Sequence, residues 1–209
     1  MNSRYFILIG LGLAAAVLYF LVVAGQRPLK RDVTPVATQS SASESSAPEE
    51  SEAEERDRLI DARRARRAPE LAEGTWINSE PLTVEGLRGR VILLDFWTFG
   101  CYNCRNTLPA LKRFHERYNS QGLTIIGVHS PEFEGEKSID NVRREVRSLG
   151  ILYPVLTDND YLSWNAYGIQ AWPTVVILDK QGRIRWTHIG EGLYDEQEQV
   201  IRRLLSEEA

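Results

Sequence analysis

The sequence predicts an α/β domain over residues 69–209, a mixed central sheet with helices on both faces, behind an N-terminal apolar segment. Three observations carry this. Val91–Trp97 (VILLDFW) and Leu123–Val128 (LTIIGV) are almost continuously apolar, as expected of strands covered on both sides. Between and after these runs, apolar residues recur at helical spacing. Near the end, Lys180-Gln181-Gly182 separates two strand-like runs and marks a hairpin.

Residues 1–4 form a short tail, and Tyr5 to Gly25 is an uncharged run of 21 residues rich in Leu, Ile, Val, Ala and Phe. At a helical rise of about 1.5 Å per residue it matches a ~30 Å hydrocarbon core and is expected to be a transmembrane anchor. A cleaved leader is the competing reading, but its apolar core usually runs only about 7–15 residues, and Val22-Val23-Ala24 is a weak cleavage pattern. Residues 26–68 are expected to be a linker. Thr34 to Glu55 consists mostly of Ser, Ala, Glu, Pro and Thr, which cannot bury enough apolar surface to offset chain entropy. Glu52 to Arg67 runs from acidic to basic and is compatible with a solvated helix.

Within the domain, Leu82-Thr83-Val84 is expected as an early strand, and Val91–Trp97 as a central one. Leu108, Leu111, Phe114, His115 and Tyr118 predict a helix after the next loop. A second buried strand follows at Leu123–Val128. Ile139, Val142, Val146 and Leu149 then place an apolar stripe opposite Arg143, Arg144 and Arg147. Asp158-Asn159-Asp160 lacks the glycine and closing glutamate of a calcium loop and reads as a helix cap before Tyr161. Thr174–Leu178 and Ile184–Ile189 form the hairpin, and Val200, Ile201, Leu204 and Leu205 the closing helix.

Composition excludes some functions. The chain carries a net charge of −4. Residues 69–209 hold 15 Lys and Arg against 20 Asp and Glu, which argues against binding nucleic acid. Only two cysteines occur, three positions apart, so they do not form a dispersed disulfide framework.

Cys101-Tyr102-Asn103-Cys104 follows a buried strand and opens a helix. Free amides and the macrodipole at a helix N-terminus stabilise an anion, so a thiolate is favoured there. Cys101 at the mouth is expected to attack, and Cys104, one turn inward, to resolve the mixed disulfide. A zinc site would need further ligands, and only His115, His129 and His188 remain, without paired spacing. Asp95 lies within an apolar strand, where burial raises a carboxyl pKa and suits it to general-base work. His129 at a strand end, and the aromatics Phe96, Trp97, Phe99 and Trp164, read as structural.

Asp95 to Cys104, with Pro109 five positions beyond, resembles the active-site strand, loop and kinked helix of the thioredoxin superfamily. Trp172-Pro173-Thr174 resembles its cis-proline loop, and Gly182 and Gly190 its late glycines. Gly74 to Gly89 and His129-Ser130-Pro131-Glu132-Phe133 are similar to the TlpA/ResA/DipZ branch of membrane-anchored thiol–disulfide oxidoreductases. The resemblance implies a thioredoxin-like fold, with an inserted strand and helix between Cys101 and Pro173, which are 72 positions apart. It implies that Asp95 takes the proton of the resolving thiol, that Pro173 is cis and faces the cysteines, and that the Trp172 backbone pairs with substrate beside Tyr102 and Asn103. No cofactor beyond the Cys101–Cys104 pair is implied.

It also implies protein disulfide or dithiol substrates, a membrane electron donor of the CcdA/DsbD type, and a domain facing the periplasm or extracellular side. Arg27, Lys30 and Arg31 against Arg4 alone would argue for the opposite orientation. Reduction or exchange of disulfides in exported proteins is the expected activity, with apocytochrome c one substrate class. A thiol peroxidase using Thr98 and Arg105, a copper-binding module using His129, and a redox-inactive adaptor are the alternatives. The family's usual Trp before the first cysteine is Gly100 here, which should open the site to larger partners or loosen the loop. Tyr102-Asn103 matches neither the common reducing nor the strongly oxidising dipeptide, so the sequence leaves the direction of electron flow open.

Overall fold

A computed structural model describes residues 59–208; the expected tail, the anchor at 5–25 and the linker up to residue 58 lie outside the described residues. Among the described residues no helix is long and apolar enough to cross a membrane. The elements run β1 (Trp76–Ile77), β2 (Val91–Trp97), α1 (Tyr102–Tyr118), β3 (Leu123–His129), α2 (Ile139–Ser148), β4 (Val155–Thr157), α3 (Leu162–Tyr167), β5 (Thr174–Leu178), β6 (Ile184–Ile189) and α4 (Tyr194–Ser206).

The mixed sheet has the order β1-β4-β3-β2-β5-β6. β2 pairs in parallel with β3, from Val91↔Leu123 to Trp97↔His129, and antiparallel with β5, from Ile92↔Leu178 to Phe96↔Thr174. Every residue of β2 and β3 is buried, which explains their unbroken apolar composition. Alternation splits β2 between two layers. Val91, Leu93 and Trp97 pack with α1, α2 and α4, while Ile92, Leu94 and Phe96 pack with α3 and with Val84, Leu82 and Leu87. α2, β4 and α3 fill the room between β3 and the cis-proline loop. The register has one functional consequence: the C-terminal ends of β2 and β3 and the N-terminal end of β5 share a single edge of the sheet.

Three expectations are corrected. Leu82-Thr83-Val84 is not a strand; the chain turns into a 3-10 helix at Glu85–Leu87. Local side chains take up the amides that a ladder would use. Glu70 accepts from Val84 N and Glu85 N at 2.7 and 2.9 Å, and Thr83 Oγ1 accepts from Gly86 N at 2.9 Å. The early strand is Trp76–Ile77 instead, pairing antiparallel with β4.

The described part of the linker carries no helix, and the folded unit starts before Pro69. Ile60 N donates to Arg185 O at 2.8 Å, Ile184 N to Arg66 O at 2.9 Å, and Arg67 bridges Arg183. This segment covers the open edge of β6, where unpaired backbone groups would otherwise invite another strand. The arginines read as a solvated run are partly spent on that pairing.

Arg185 anchors the same edge. Its guanidinium is almost fully buried, bonding Asp179 Oδ2 at 3.3 Å, Glu207 Oε2 at 2.7 Å and, through Nε, Ile60 O at 2.6 Å. Removing one partner of a buried ion network leaves the others uncompensated. Arg185→Met is therefore expected to cost about 3 kcal/mol, read as a lower denaturant midpoint with an unchanged m-value.

Candidate active site

β2 ends at Trp97, and the chain turns through Thr98–Gly100 directly into α1. Cys101 occupies the N-cap of that helix, and its Sγ accepts from Cys104 N at 3.2 Å. Cys101 and Cys104 are joined in a disulfide, with 5.3 Å between their Cα atoms. Their environments differ. Cys104 is fully buried against the core, whereas Cys101 is half-exposed between the exposed Tyr102 and Gly100. An incoming sulfur can reach Cys101 and not Cys104. On reduction, the same Cys104 amide would stabilise a Cys101 thiolate.

Asp95 lies beneath this pair. It alternates with Leu93 and Trp97, so its side chain enters the layer that holds α1 and Cys104. It is fully buried, and neither carboxylate oxygen has a hydrogen-bond partner among the described residues. Burial raises its pKa from 3.8 to about 7. On the β3 side the cross-strand neighbour of Asp95 is Gly127, so no side chain from β3 comes alongside it, while Val175 faces it from β5. A Cβ at Gly127 would come within 2.8 Å of Trp97 Nε1 and 3.4 Å of the Tyr153 ring, so only glycine fits. Tyr153 is also buried, and its proximity to Asp95 adds to the rise in its own pKa begun by burial.

Above the pair sits an arrangement the sequence did not point to. Glu136, in the 3-10 helix Glu134–Lys137 after β3, is buried with only 3% exposure. Its carboxylate accepts from Gly100 N at 2.9 Å, Glu132 N at 2.6 Å and Phe133 N at 3.0 Å. Burial works to raise its pKa, but the Thr98 hydroxyl and the Phe133, Glu132 and Gly100 amides outweigh it and hold Glu136 below the usual glutamate value. Thr98 Oγ1 lies 3.3 Å from His129 Nε2. The ring stacks under Phe99, and burial lowers its pKa to about 4 against the opposing pull of Glu136, so it stays neutral.

This changes the meaning of Gly100. A Cβ there would lie 2.3 Å from Glu136 Oε1. The missing side chain does not loosen the loop; it admits a carboxylate that ties the loop down. Glu132, Glu134 and Glu136 alternate in sequence, and only burial distinguishes the third from its two exposed neighbours.

The remaining expected residues gather at the same sheet edge. The Trp172–Pro173 peptide bond is cis, and β5 begins at the next residue, opposite Phe96. Trp172 Nε1 donates to Ser130 O at 3.0 Å, tying the proline loop to the segment after β3. Tyr102 and Asn103 are exposed on the first turn of α1. Asp158 caps α3 as expected, accepting from Ser163 N at 3.0 Å and Trp164 N at 2.9 Å.

The raised pKa of Asp95 sets a pH dependence of known sign. The folded state keeps this proton up to about pH 7, while the unfolded chain releases it near 3.8. Stability from this residue is therefore complete below pH 4 and is lost as pH rises through 7, by about 4 kcal/mol. Asp95→Asn is expected to stabilise the oxidised protein at pH 8 by up to that amount. It should also flatten the fall in stability between pH 4 and 7, measured by denaturant unfolding at each pH.

A family model described as thioredoxin-like matches residues 89–184. Over 144 residues the chain is 38% identical to the protein DipZ of Mycobacterium tuberculosis, a match that takes in 67% of this chain and 21% of DipZ. It thus spans about a fifth of that relative's length. It is 26% identical over 140 residues to the thiol-disulfide oxidoreductase YkuV of Bacillus subtilis, covering 66% of this chain and 94% of YkuV. The crystal structure of a thiol-disulfide isomerase from Corynebacterium glutamicum superposes with a TM-score of 0.61 at 26% identity, covering 68% and 98% of the two chains. With the cysteine pair capping a helix at the end of a central strand and a cis-proline loop beside it, residues 89–184 form a thioredoxin-like domain.

Proposed function

We propose that this chain is a thiol–disulfide oxidoreductase that reduces or exchanges disulfides in exported proteins. The observation that carries the reading is the unequal exposure of two bonded cysteines at a helix N-terminus, with Asp95 unpartnered beneath them. In the reducing direction the Cys101 thiolate attacks a partner disulfide. A mixed disulfide forms, and one partner sulfur leaves as a thiolate. Cys104 then gives its proton to Asp95, directly or through water, and attacks Cys101. The second partner thiolate leaves and the Cys101–Cys104 disulfide closes. Two electrons pass to the partner, whose two thiolates take up one proton returned by Asp95 and one from solvent, the latter replacing the proton that Cys101 lost on ionising. A carboxyl with a pKa of about 7 is matched to taking up and releasing a proton near neutral pH. Trp172 and the cis Pro173 would align an extended partner strand, with Tyr102 and Asn103 at its rim.

The cycle needs an external source of electrons. The 21-residue apolar run at Tyr5–Gly25 supports a membrane anchor, and the linker after it a tether. A membrane dithiol donor of the CcdA/DsbD type fits that placement, with the domain outside and apocytochrome c among the possible substrates.

The rival chemistries fit less well. A peroxidase would need the Thr98 hydroxyl free to bind peroxide, but Thr98 is fully buried with its Oγ1 3.3 Å from His129 Nε2. A copper site using His129 would have to rely on Nδ1, since Nε2 faces Thr98.

Cys104→Ser is expected to accumulate mixed disulfides through Cys101, identifiable by mass spectrometry after acid quenching. Cys101→Ser should form none and should abolish insulin-disulfide reduction. Equal trapping by both variants, or by neither, contradicts the assignment.

A further inference from the structure

We propose that Glu136 is a positioning residue that biases the cysteine pair toward the disulfide, making this protein a reductant. The inference rests on the oxidoreductase reading above. Its basis is the bond from Gly100 N to Glu136 Oε1 at 2.9 Å, one residue before the cysteine that caps α1.

Glu136 holds the loop mechanically and electrically. Mechanically, one carboxylate gathers the amides of Gly100, Glu132 and Phe133, clamping the cysteine loop to the segment after β3. Electrically, it brings a buried negative charge to the loop that carries the attacking sulfur. Three amide donors favour its ionised form, and the neutral His129 ring behind Thr98 supplies no compensating charge.

A disulfide carries no charge and is indifferent to that anion, but a Cys101 thiolate is repelled by it. The reduced state is therefore raised in energy relative to the oxidised one. A reduced form that is less favoured gives up its electrons more readily, the converse of oxidants whose reduced form is stabilised. Gly100 is the other half of the device. Its φ is not in the left-handed region, so alanine is torsionally acceptable there, and the obstacle to a Cβ is the carboxylate at 2.3 Å.

The test is equilibration of the full chain with reduced and oxidised glutathione at pH 7, counting the fraction of Cys101–Cys104 disulfide. Glu136→Gln keeps the shape and removes the charge. It should shift the equilibrium about tenfold toward the dithiol, equal to about 30 mV for this two-electron couple. Gly100→Ala should shift it in the same direction by displacing the carboxylate. In a Glu136→Ala background, Gly100→Ala should add nothing, because the obstructing group is gone.

An unchanged equilibrium in Glu136→Gln with an unchanged thermal midpoint would overturn the proposal, as would a shift toward the disulfide. Additive effects of Gly100→Ala and Glu136→Ala would overturn the claim that they form one unit. If the wild-type pair fails to exchange with glutathione at all, the oxidoreductase reading itself fails, a different outcome from wild-type exchange that Glu136 does not influence.

Discussion

A buried strand that turns without pause into a helix governs this structure. β2 is covered on both faces and flanked by β3 and β5, so its direction and end point are set by the core. α1 must begin within a few residues, and its first turn necessarily presents amides without helical partners. A cysteine at the N-cap receives one of them, while a cysteine three residues on is carried into the core. Accessibility and charge stabilisation of the two sulfurs thus come from one backbone feature. The same end point brings in the other loops, since β3 ends beside Trp97 and β5 begins beside Phe96.

Two buried carboxyls in this region are treated oppositely by their surroundings. Asp95 has no donor, so desolvation dominates and its proton is held to about pH 7. Glu136 is also buried, but it accepts from three backbone amides and remains an anion. The first exchanges a proton in the neutral range; the second is a fixed charge. Residue type does not predict the difference, which lies in the count of aimed donors.

The parts of the fold that follow from periodicity could be read in the sequence. β2, β3, β5, β6 and the long helices emerge from apolar runs and helical stripes, because burial on one or both faces dictates those patterns. The cysteine pair, the acidic residue in β2 and the cis Trp172–Pro173 bond lie where the motifs placed them. What could not be read depended on side chains acting on distant backbone. Val84 has strand composition, yet Glu70, fourteen positions away, takes its amide. Residues 59–67 have a solvated composition, yet they pair with the edge of β6. Glu136 looks like its exposed neighbours, and the one hint of it was the small residue at position 100, whose meaning reverses once the space above it is seen to be filled.

The central claim is that helix-terminal amides make Cys101, and not Cys104, the reactive sulfur. The direct measurement is iodoacetamide alkylation of the fully reduced protein across pH, with each cysteine followed separately by peptide mapping. The account predicts that Cys101 reacts first, with a midpoint below the ~8.5 of a free thiol, while Cys104 stays protected until the domain unfolds. A Cys101 midpoint at or above that of free cysteine, or equal reactivity of the two, would contradict it.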